Sequence, residues 1–177
     1  MNDLTRSGSK TLAFWPTLIV FYLADFATKR WAEGNLLPVY TPHEVIGDAV
    51  RLTLAYNRNA AMGLSLGDYS RVGFTLTAIV VLIVLGVFYQ RTPVNASGGA
   101  AALGLVAAGA LGNLTDRVMF SRGVVDFIDV GIGAARFWTF NVADSAITCG
   151  AILLAVLSMK GQREAAVLAG STGGTQQ

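Results

Sequence analysis

The feature that most limits what this chain can fold into is a set of long stretches almost without charge. Val72 to Tyr89 contains no Asp, Glu, Lys or Arg. A run of that length and apolarity matches the hydrocarbon thickness of a bilayer rather than a buried core helix. Comparable runs lie near the start, the middle and the end of the chain. Together they predict an all-α membrane protein with four transmembrane helices, at about residues 11–28, 72–89, 99–116 and 142–159, in a single membrane domain covering residues 1–160. A small β-region is expected between the spans. Val50 to Tyr56 alternates apolar with other residues, as a half-buried strand does, and Val124 to Val130 reads as extended. Pro38 and Pro42 mark turns. Residues 161–177, rich in Gly, Thr and Gln, read as a disordered tail.

Composition removes several function classes. The net charge is only +2 across 177 residues and no basic stretch is dense, which argues against nucleic acid as a partner. The single cysteine, Cys149, excludes an internal disulfide and a cysteine zinc site. It lies in an apolar run and reads as a buried, inert thiol. His43 is the only histidine, so His-paired metal motifs are absent and a Ser–His triad has little to draw on. Neither a metal nor a cofactor is called for.

The spans themselves carry local signals. The first opens after Arg6 and Lys10, has Pro16 in what reads as its first turns, and ends in Asp25 and Lys29. A basic start and a short apolar run also suit a cleaved signal peptide, but Ala24–Ala27 is a poor cleavage site and an uncleaved helix is expected. Asp25 and Lys29 are four residues apart with the acid first, the favourable order for a helical ion pair. In the third span Ala100, Gly104, Ala108 and Gly112 recur every four residues, a ridge that lets helices approach closely in lipid. Asn141 is placed to cap the fourth span, which sets Asp144 in a first turn where the helix dipole favours a carboxylate.

Connectivity then gathers the polar residues. Four spans put both termini on one side, so the end of the first helix, the end of the third and the start of the fourth share the other side. Asp25, Lys29, Asn113, Asp116, Arg117 and Asp144 therefore meet at one membrane surface. So do the two long loops, which carry Asn57 and Asp126. Carboxylates at the ends of membrane spans are costly and mark function. Taken singly, each also reads as a cap, a turn or a loop residue. The basic residues do not fix the orientation, because many of those on the long-loop side sit among the acids.

At this point the motifs resemble a known family. Asp25-Phe26-Ala27-Thr28-Lys29, Asn57-Arg58-Asn59-Ala60-Ala61-Met62-Gly63, Gly112-Asn113-Leu114-Thr115-Asp116-Arg117, Gly123-Val124-Val125-Asp126-Phe127 and Phe140-Asn141-Val142-Ala143-Asp144 are similar, in order and spacing, to the boxes of lipoprotein signal peptidase, also called signal peptidase II. Asn59 and Met62 depart from the glycine and phenylalanine usual in the second box. The resemblance implies an aspartic endopeptidase of the bacterial inner membrane that cleaves prolipoproteins before a diacylglyceryl-modified cysteine. It implies cytoplasmic termini and an extracytoplasmic β-region and active site. A diacylglyceryl-modified prolipoprotein and membrane lipid are the expected partners, and a monomer is expected. By matched position it implies Asp126 and Asp144 as the catalytic pair. Asn57, Asn113, Asp116, Arg117 and Asn141 would bind substrate or brace the site, and Asp25 and Lys29 would support the structure.

The chemistry is compatible with that reading. With no usable His, Cys or metal set, paired carboxylates are the available means of activating water. Two close carboxylates do not both ionise readily, so one holds a proton. A small ion-coupled transporter and a non-enzymatic membrane scaffold are the alternatives. The first is disfavoured because its sites belong near the bilayer midplane, whereas these acids lie at helix ends.

Overall fold

The computed structural model describes residues 3–58 and 67–172. The order is α1 (Asp3–Asn35), β1 (Pro42–Ile46), β2 (Val50–Asn57), α2 (Ser70–Arg91), α3 (Ser97–Met119), β3 (Val124–Ile132), β4 (Ala135–Arg136) and α4 (Val142–Thr172). Among the described residues, four helices are long and apolar enough to cross a membrane, at Ser9–Asn35, Ser70–Arg91, Ser97–Met119 and Val142–Arg163. The fold is thus mostly helical, with one small antiparallel sheet in the order β1-β2-β3-β4.

Three boundaries differ from the sequence reading. Helix α1 has 33 residues, about 50 Å at 1.5 Å per residue, more than the hydrocarbon core requires. Pro16 therefore lies in the helix interior rather than in its first turns. Proline is tolerated inside membrane helices where side chains and neighbouring helices compensate, and here the Thr17 hydroxyl donates to the Ala13 carbonyl at 2.7 Å. Helix α4 continues to Thr172, so residues 161–172 are helical and not a disordered tail. Gln162 to Ala166 are good helix formers and prolong the span without a break. Residues 173–177 lie outside the described residues. Finally, Pro42 does not end a turn but opens strand β1, a position where its missing N–H costs no ladder bond.

Helix α3 is the centre of the bundle and packs against α1, α2 and α4. Ala100 and Ala108 are fully buried, and a side chain at Gly104 would meet the Phe14 carbonyl of α1 at 2.8 Å. A side chain at Gly112 would collide with the Asp25 carboxylate. The four-residue ridge is the face on which α1 rides. A second set of small residues serves α4: a side chain at Gly109 would strike the Ala143 carbonyl, and one at Gly150 the Ala102 carbonyl at 2.8 Å. At the other end, Lys10 of α1 bonds the α2–α3 turn, Nζ to the Thr92 carbonyl at 2.8 Å. The termini-proximal ends and the short turn therefore share one side, and the sheet lies at the opposite end.

The sheet is attached to the end of α1 that projects beyond the span. Ala32 and Leu36 pack with Leu54, Val125 and Phe127. In the β2–β3 pairing Ala55 opposes Asp126 and Asn57 opposes Val124, with a shift in register between Leu52 and Ala55. Gly123, at φ +96°, enters β3 in a conformation other residues rarely adopt, and its missing side chain leaves room for the Asn57 carbonyl.

Close approach of α3 to α4 is testable by adding one methyl group. Gly109→Ala should cost about 1–3 kcal/mol through forced separation of the helices. Gly99→Ala, where nothing lies within 4 Å, should be silent. Thermal unfolding in detergent micelles checks this, and equal melting of the two variants would show that the contact is not tight.

Candidate active site

The site is built from the buried end of α1 upward. The Lys29 ammonium, 1% exposed, lies 2.8 Å from Asp25 Oδ2 and 3.1 Å from Asp116 Oδ2, and donates to Asn113 Oδ1 at 2.9 Å. The helical pair expected from sequence is present, but it is one edge of a larger network. Asp25 Oδ1 accepts the Ala143 N–H at 2.8 Å, which fixes the first turn of α4. Asp116 accepts the Val125 N–H at 3.2 Å and the Arg30 Nη2 at 2.9 Å, which fixes β3 and the next residue of α1. One cation thus positions three helices and a strand.

Asparagines carry the network to the carboxylates. Asn141 and Asp144 form a reciprocal cap: the Asp144 N–H donates to Asn141 Oδ1 at 2.9 Å, and the Asn141 N–H donates to Asp144 Oδ2 at 3.2 Å. Asn113 Nδ2 donates to Asp144 Oδ1 at 2.9 Å. Asn141 Nδ2 donates to Asp126 Oδ1 at 2.7 Å, with the Val125 carbonyl and Asn113 Oδ1 each 3.2 Å away. Asn57 Nδ2 reaches Asp126 Oδ2 at 3.1 Å across the β2–β3 pairing. Arg117 presents its charge to Asp144, Asp126 and Asp116, and its Nη1 donates to the Asn113 carbonyl at 3.3 Å.

Every site residue expected from the sequence, Asp25, Lys29, Asn57, Asn113, Asp116, Arg117, Asp126, Asn141 and Asp144, is brought into this one assembly. The remainder of the second sequence box, residues 59–63 with Asn59 and Met62, lies outside the described residues. Asp129, three residues beyond Asp126, is on the opposite face of β3 by strand alternation. It is occupied by Arg136 Nε at 2.6 Å and by the Thr53 hydroxyl at 3.2 Å.

Asp126 is 4% exposed. Burial, and then the charge of Asp144, push its carboxyl up to about 7, against the lowering effect of the Asn57 and Asn141 amides. It is therefore a group able to keep a proton near neutral pH.

The two carboxylates open into a cleft of about 1180 Å³. Asn57, Asn113 and Arg117 line its polar part. Tyr40, Val130, Phe137 and Trp138 form an apolar wall on the sheet side, and Ser145, Thr148 and Cys149 carry the cleft down α4. This corrects the reading of Cys149 as buried: its thiol is exposed and faces the cleft. It sits five residues after Asp144, on the face that α4 leaves uncovered. Apolar surroundings in sequence do not distinguish a helix face that meets protein from one that meets lipid or a cleft.

Arg30, Tyr56 and Arg122 are site-lining or site-bracing residues that the sequence reading missed. Arg30 reaches Asp116 as above. Tyr56 and Arg122 line the cleft, and the Arg122 guanidinium stacks 3.8 Å over Phe120. The only sequence signal for any of them was the Arg30/Glu33 helical spacing, which the structure realises as an ion pair of 2.8 Å.

The same architecture occurs in solved structures of bacterial membrane enzymes. One aligns with a TM-score of 0.71 at 29% identity, covering 96% of this chain and 93% of the other, and a second with a TM-score of 0.72 at 32% identity, covering 86% and 94%. Fold and cleft define a membrane-embedded enzyme. The family model for signal peptidase (SPase) II matches residues 17–160. The lipoprotein signal peptidase of Pseudomonas putida is 42% identical over 84% of this chain and 87% of its own length. That of Streptomyces coelicolor is 36% identical over 90% and 76%. The chain belongs to the signal peptidase II family and is a protease that spans the membrane.

The network predicts a large effect from its central cation. Lys29→Met would strand the Asp25 carboxylate and take from Asp116 one of its two cations, leaving Arg30, and should cost about 3–5 kcal/mol, the range for breaking a buried ion pair. The check is the melting temperature and folded yield in micelles. A variant that folds and melts like the parent would remove Lys29 from its central place.

Proposed function

We propose that this enzyme cleaves prolipoproteins immediately before the diacylglyceryl-modified lipobox cysteine, with Asp126 and Asp144 as its catalytic pair. The observation that carries this reading is the hydrogen-bonded unit in which Asn113 and Asn141 join a carboxylate from β3 to one from α4, at the mouth of a cleft with an apolar wall. Names of the relatives supply the lipoprotein substrate class.

In this mechanism Asp126 holds the shared proton and Asp144 is the base. Asp144 removes a proton from water, and the hydroxide oxygen attacks the scissile carbonyl carbon. Asp126 donates its hydrogen to the carbonyl oxygen and stabilises the tetrahedral intermediate. The C–N bond then breaks as a proton passes to the departing cysteine amine. Asn57, Asn113 and Asn141 hold the carboxylates at a fixed geometry, so little reorganisation is needed in the transition state. Arg117 and Asp116 brace this arrangement, Arg117 with a fixed positive charge beside the pair. The lipid-modified cysteine suits a cleft whose polar end meets its apolar wall at a span terminus, and the signal peptide runs along the Ser145–Cys149 side.

The sheet and cleft face the extracytoplasmic side of the bacterial inner membrane, both termini are cytoplasmic, and the enzyme works as a monomer. Reporter fusions after Gln90 and Lys160 should read as cytoplasmic and one after Tyr69 as external. The same side for Tyr69 and Lys160 would contradict the four-span arrangement.

The direct test is purified protein with a lipid-modified precursor. Asp126→Asn and Asp144→Asn should each lower turnover by at least about a thousandfold, since neither amide can exchange the proton. Asp129→Asn, on the far face, should keep most activity. For the parent, kcat/KM should fall as pH rises through about 7, where Asp126 loses its proton. It should fall again in acid as the base is protonated. Near-normal turnover by either Asn variant of the pair would refute the assignment, and a dead Asp129→Asn would place the second carboxylate on the wrong residue.

A further inference from the structure

The turn that leads into β1 holds a residue that local backbone physics does not favour. The Thr41 N–H donates to the Pro38 carbonyl at 3.2 Å, which closes a four-residue turn over Pro38–Thr41. Tyr40 is the third residue of that turn and has φ +63°. Among the described residues it is the one non-glycine with a positive φ. That turn position with that φ belongs to Gly or Asn, and a bulky aromatic there is a backbone outlier. Little packing rewards the choice. Tyr40 is 67% exposed, while Val39 turns inward and packs against the cluster around Leu54. The fold would be served at least as well by glycine, so what the turn carries is the side chain itself. Strain of this kind gathers where a protein meets a ligand, and the surroundings hold it in place. Here the Tyr40 N–H donates to the Leu54 carbonyl at 2.8 Å.

Register shows where the ring is held. Pro42 pairs with Thr53, so the same register continued two residues back sets Tyr40 beside Ala55. Ala55 in turn pairs with Asp126, and all three residues line the cleft. The order across the site is thus Asp144 on α4, Asp126 on β3, Ala55 on β2 and Tyr40 before β1. Neighbouring strands lie about 4.8 Å apart, so Tyr40 stands about 10 Å from Asp126 across the small side chain of Ala55. An extended chain at about 3.3 Å per residue covers that distance in about three residues. A substrate whose signal peptide lies along α4 leaves its other arm to pass over β3 and β2 toward Tyr40.

We propose that Tyr40 is a substrate-binding residue that contacts the polypeptide following the modified cysteine, at about the third residue beyond it. The inference rests on the precursor-cleavage reading and adds a specificity determinant to it. The ring offers a flat apolar face to a substrate side chain, and the hydroxyl can bond to a peptide group. Such a contact tolerates many sequences but requires that the chain extend far enough to reach it.

The test compares two synthetic precursors that carry a diacylglyceryl-modified cysteine and a fluorophore at the signal-peptide end. One stops directly after the cysteine, and the other runs about six residues further, beyond the reach of Tyr40. With the parent in micelles, KM and the Kd from fluorescence anisotropy should both be several-fold lower for the longer form. Tyr40→Gly should erase most of that preference through KM rather than kcat, the mark of a lost binding contact. Its melting temperature should hold or rise by about 2–4 °C, because glycine relieves the turn. Tyr40→Asn, which also accepts a positive φ, should lose the preference in the same way, and Tyr40→Phe should keep most of it. A merely structural residue would instead lower the melting temperature and leave the length preference in place. An undiminished preference in Tyr40→Gly and Tyr40→Asn would overturn the assignment, as would an equal rise in KM for both precursors. Anisotropy reads binding without turnover, so a wrong catalytic pair would leave the length effect intact and is told apart from a wrong contact.

Discussion

The interaction on which the rest depends is the buried ammonium of Lys29. A lysine at 1% exposure near a membrane interface is tolerable only if its charge is answered in full. Asp25, Asp116 and Asn113 do so, and each of these is itself tied to another element. Asp25 holds the first turn of α4 through the Ala143 amide, and Asp116 holds the start of β3 through the Val125 amide. The ends of α1, α3 and α4 cannot slide past one another without uncovering a charge. The two carboxylates of the candidate site, Asp126 and Asp144, are carried by the elements so fixed, so a site assembled from a strand and a helix end is held in place.

That network requires helices close enough for short side chains to reach. Small residues on two faces of α3 provide the distance. Gly104 and Gly112 admit α1, and Gly109 admits α4. At Gly112 the dependence is direct, because a β-carbon would occupy the space of the Asp25 carboxylate. Packing and electrostatics are therefore one constraint seen twice. In lipid, where apolar faces gain little by meeting each other, such close contact plus internal polar bonds supplies the specificity of association.

Asp126 and Asp144 are identical side chains in different settings. Asp126 is buried between sheet and bundle and faces a second carboxylate, and its proton is retained to about 7. Asp144 belongs to a helix N-terminus, where its oxygens accept the Asn141 N–H and the Asn113 amide. Asp129 is the useful contrast. It is as close in sequence as a turn allows, yet the alternation of the strand sends it to Arg136 on the charged face. Position relative to the pleat, rather than proximity along the chain, separates a candidate acid from a structural one.

The sequence by itself determined the four spans, the strands around Val50–Tyr56 and Val124–Val130, and the end of the bundle at which the polar groups gather. Long uncharged runs, the four-residue spacing of small residues, the Asn141–Asp144 cap and the alternation of Val50 to Tyr56 are properties of neighbouring residues, and local physics acts on neighbours. It could not determine what depends on the rotation and reach of packed elements. The threefold setting of Lys29 was visible only as its Asp25 edge, since Asn113 and Asp116 lie more than eighty residues away. The exposure of Cys149 depended on which face of α4 its neighbours cover. The helical course of residues 161–172 and the strand at Pro42–Ile46 were hidden by Gly and Pro signals that context overrode. Only the tertiary structure, by pairing β2 with β3 and docking the first turn of α4 onto Asp25, decided that Asn57, Asp126, Asn141 and Asp144 form one hydrogen-bonded unit. Directed hydrogen bonds need atoms placed to within a few tenths of an ångström, and no pattern of residue types fixes that.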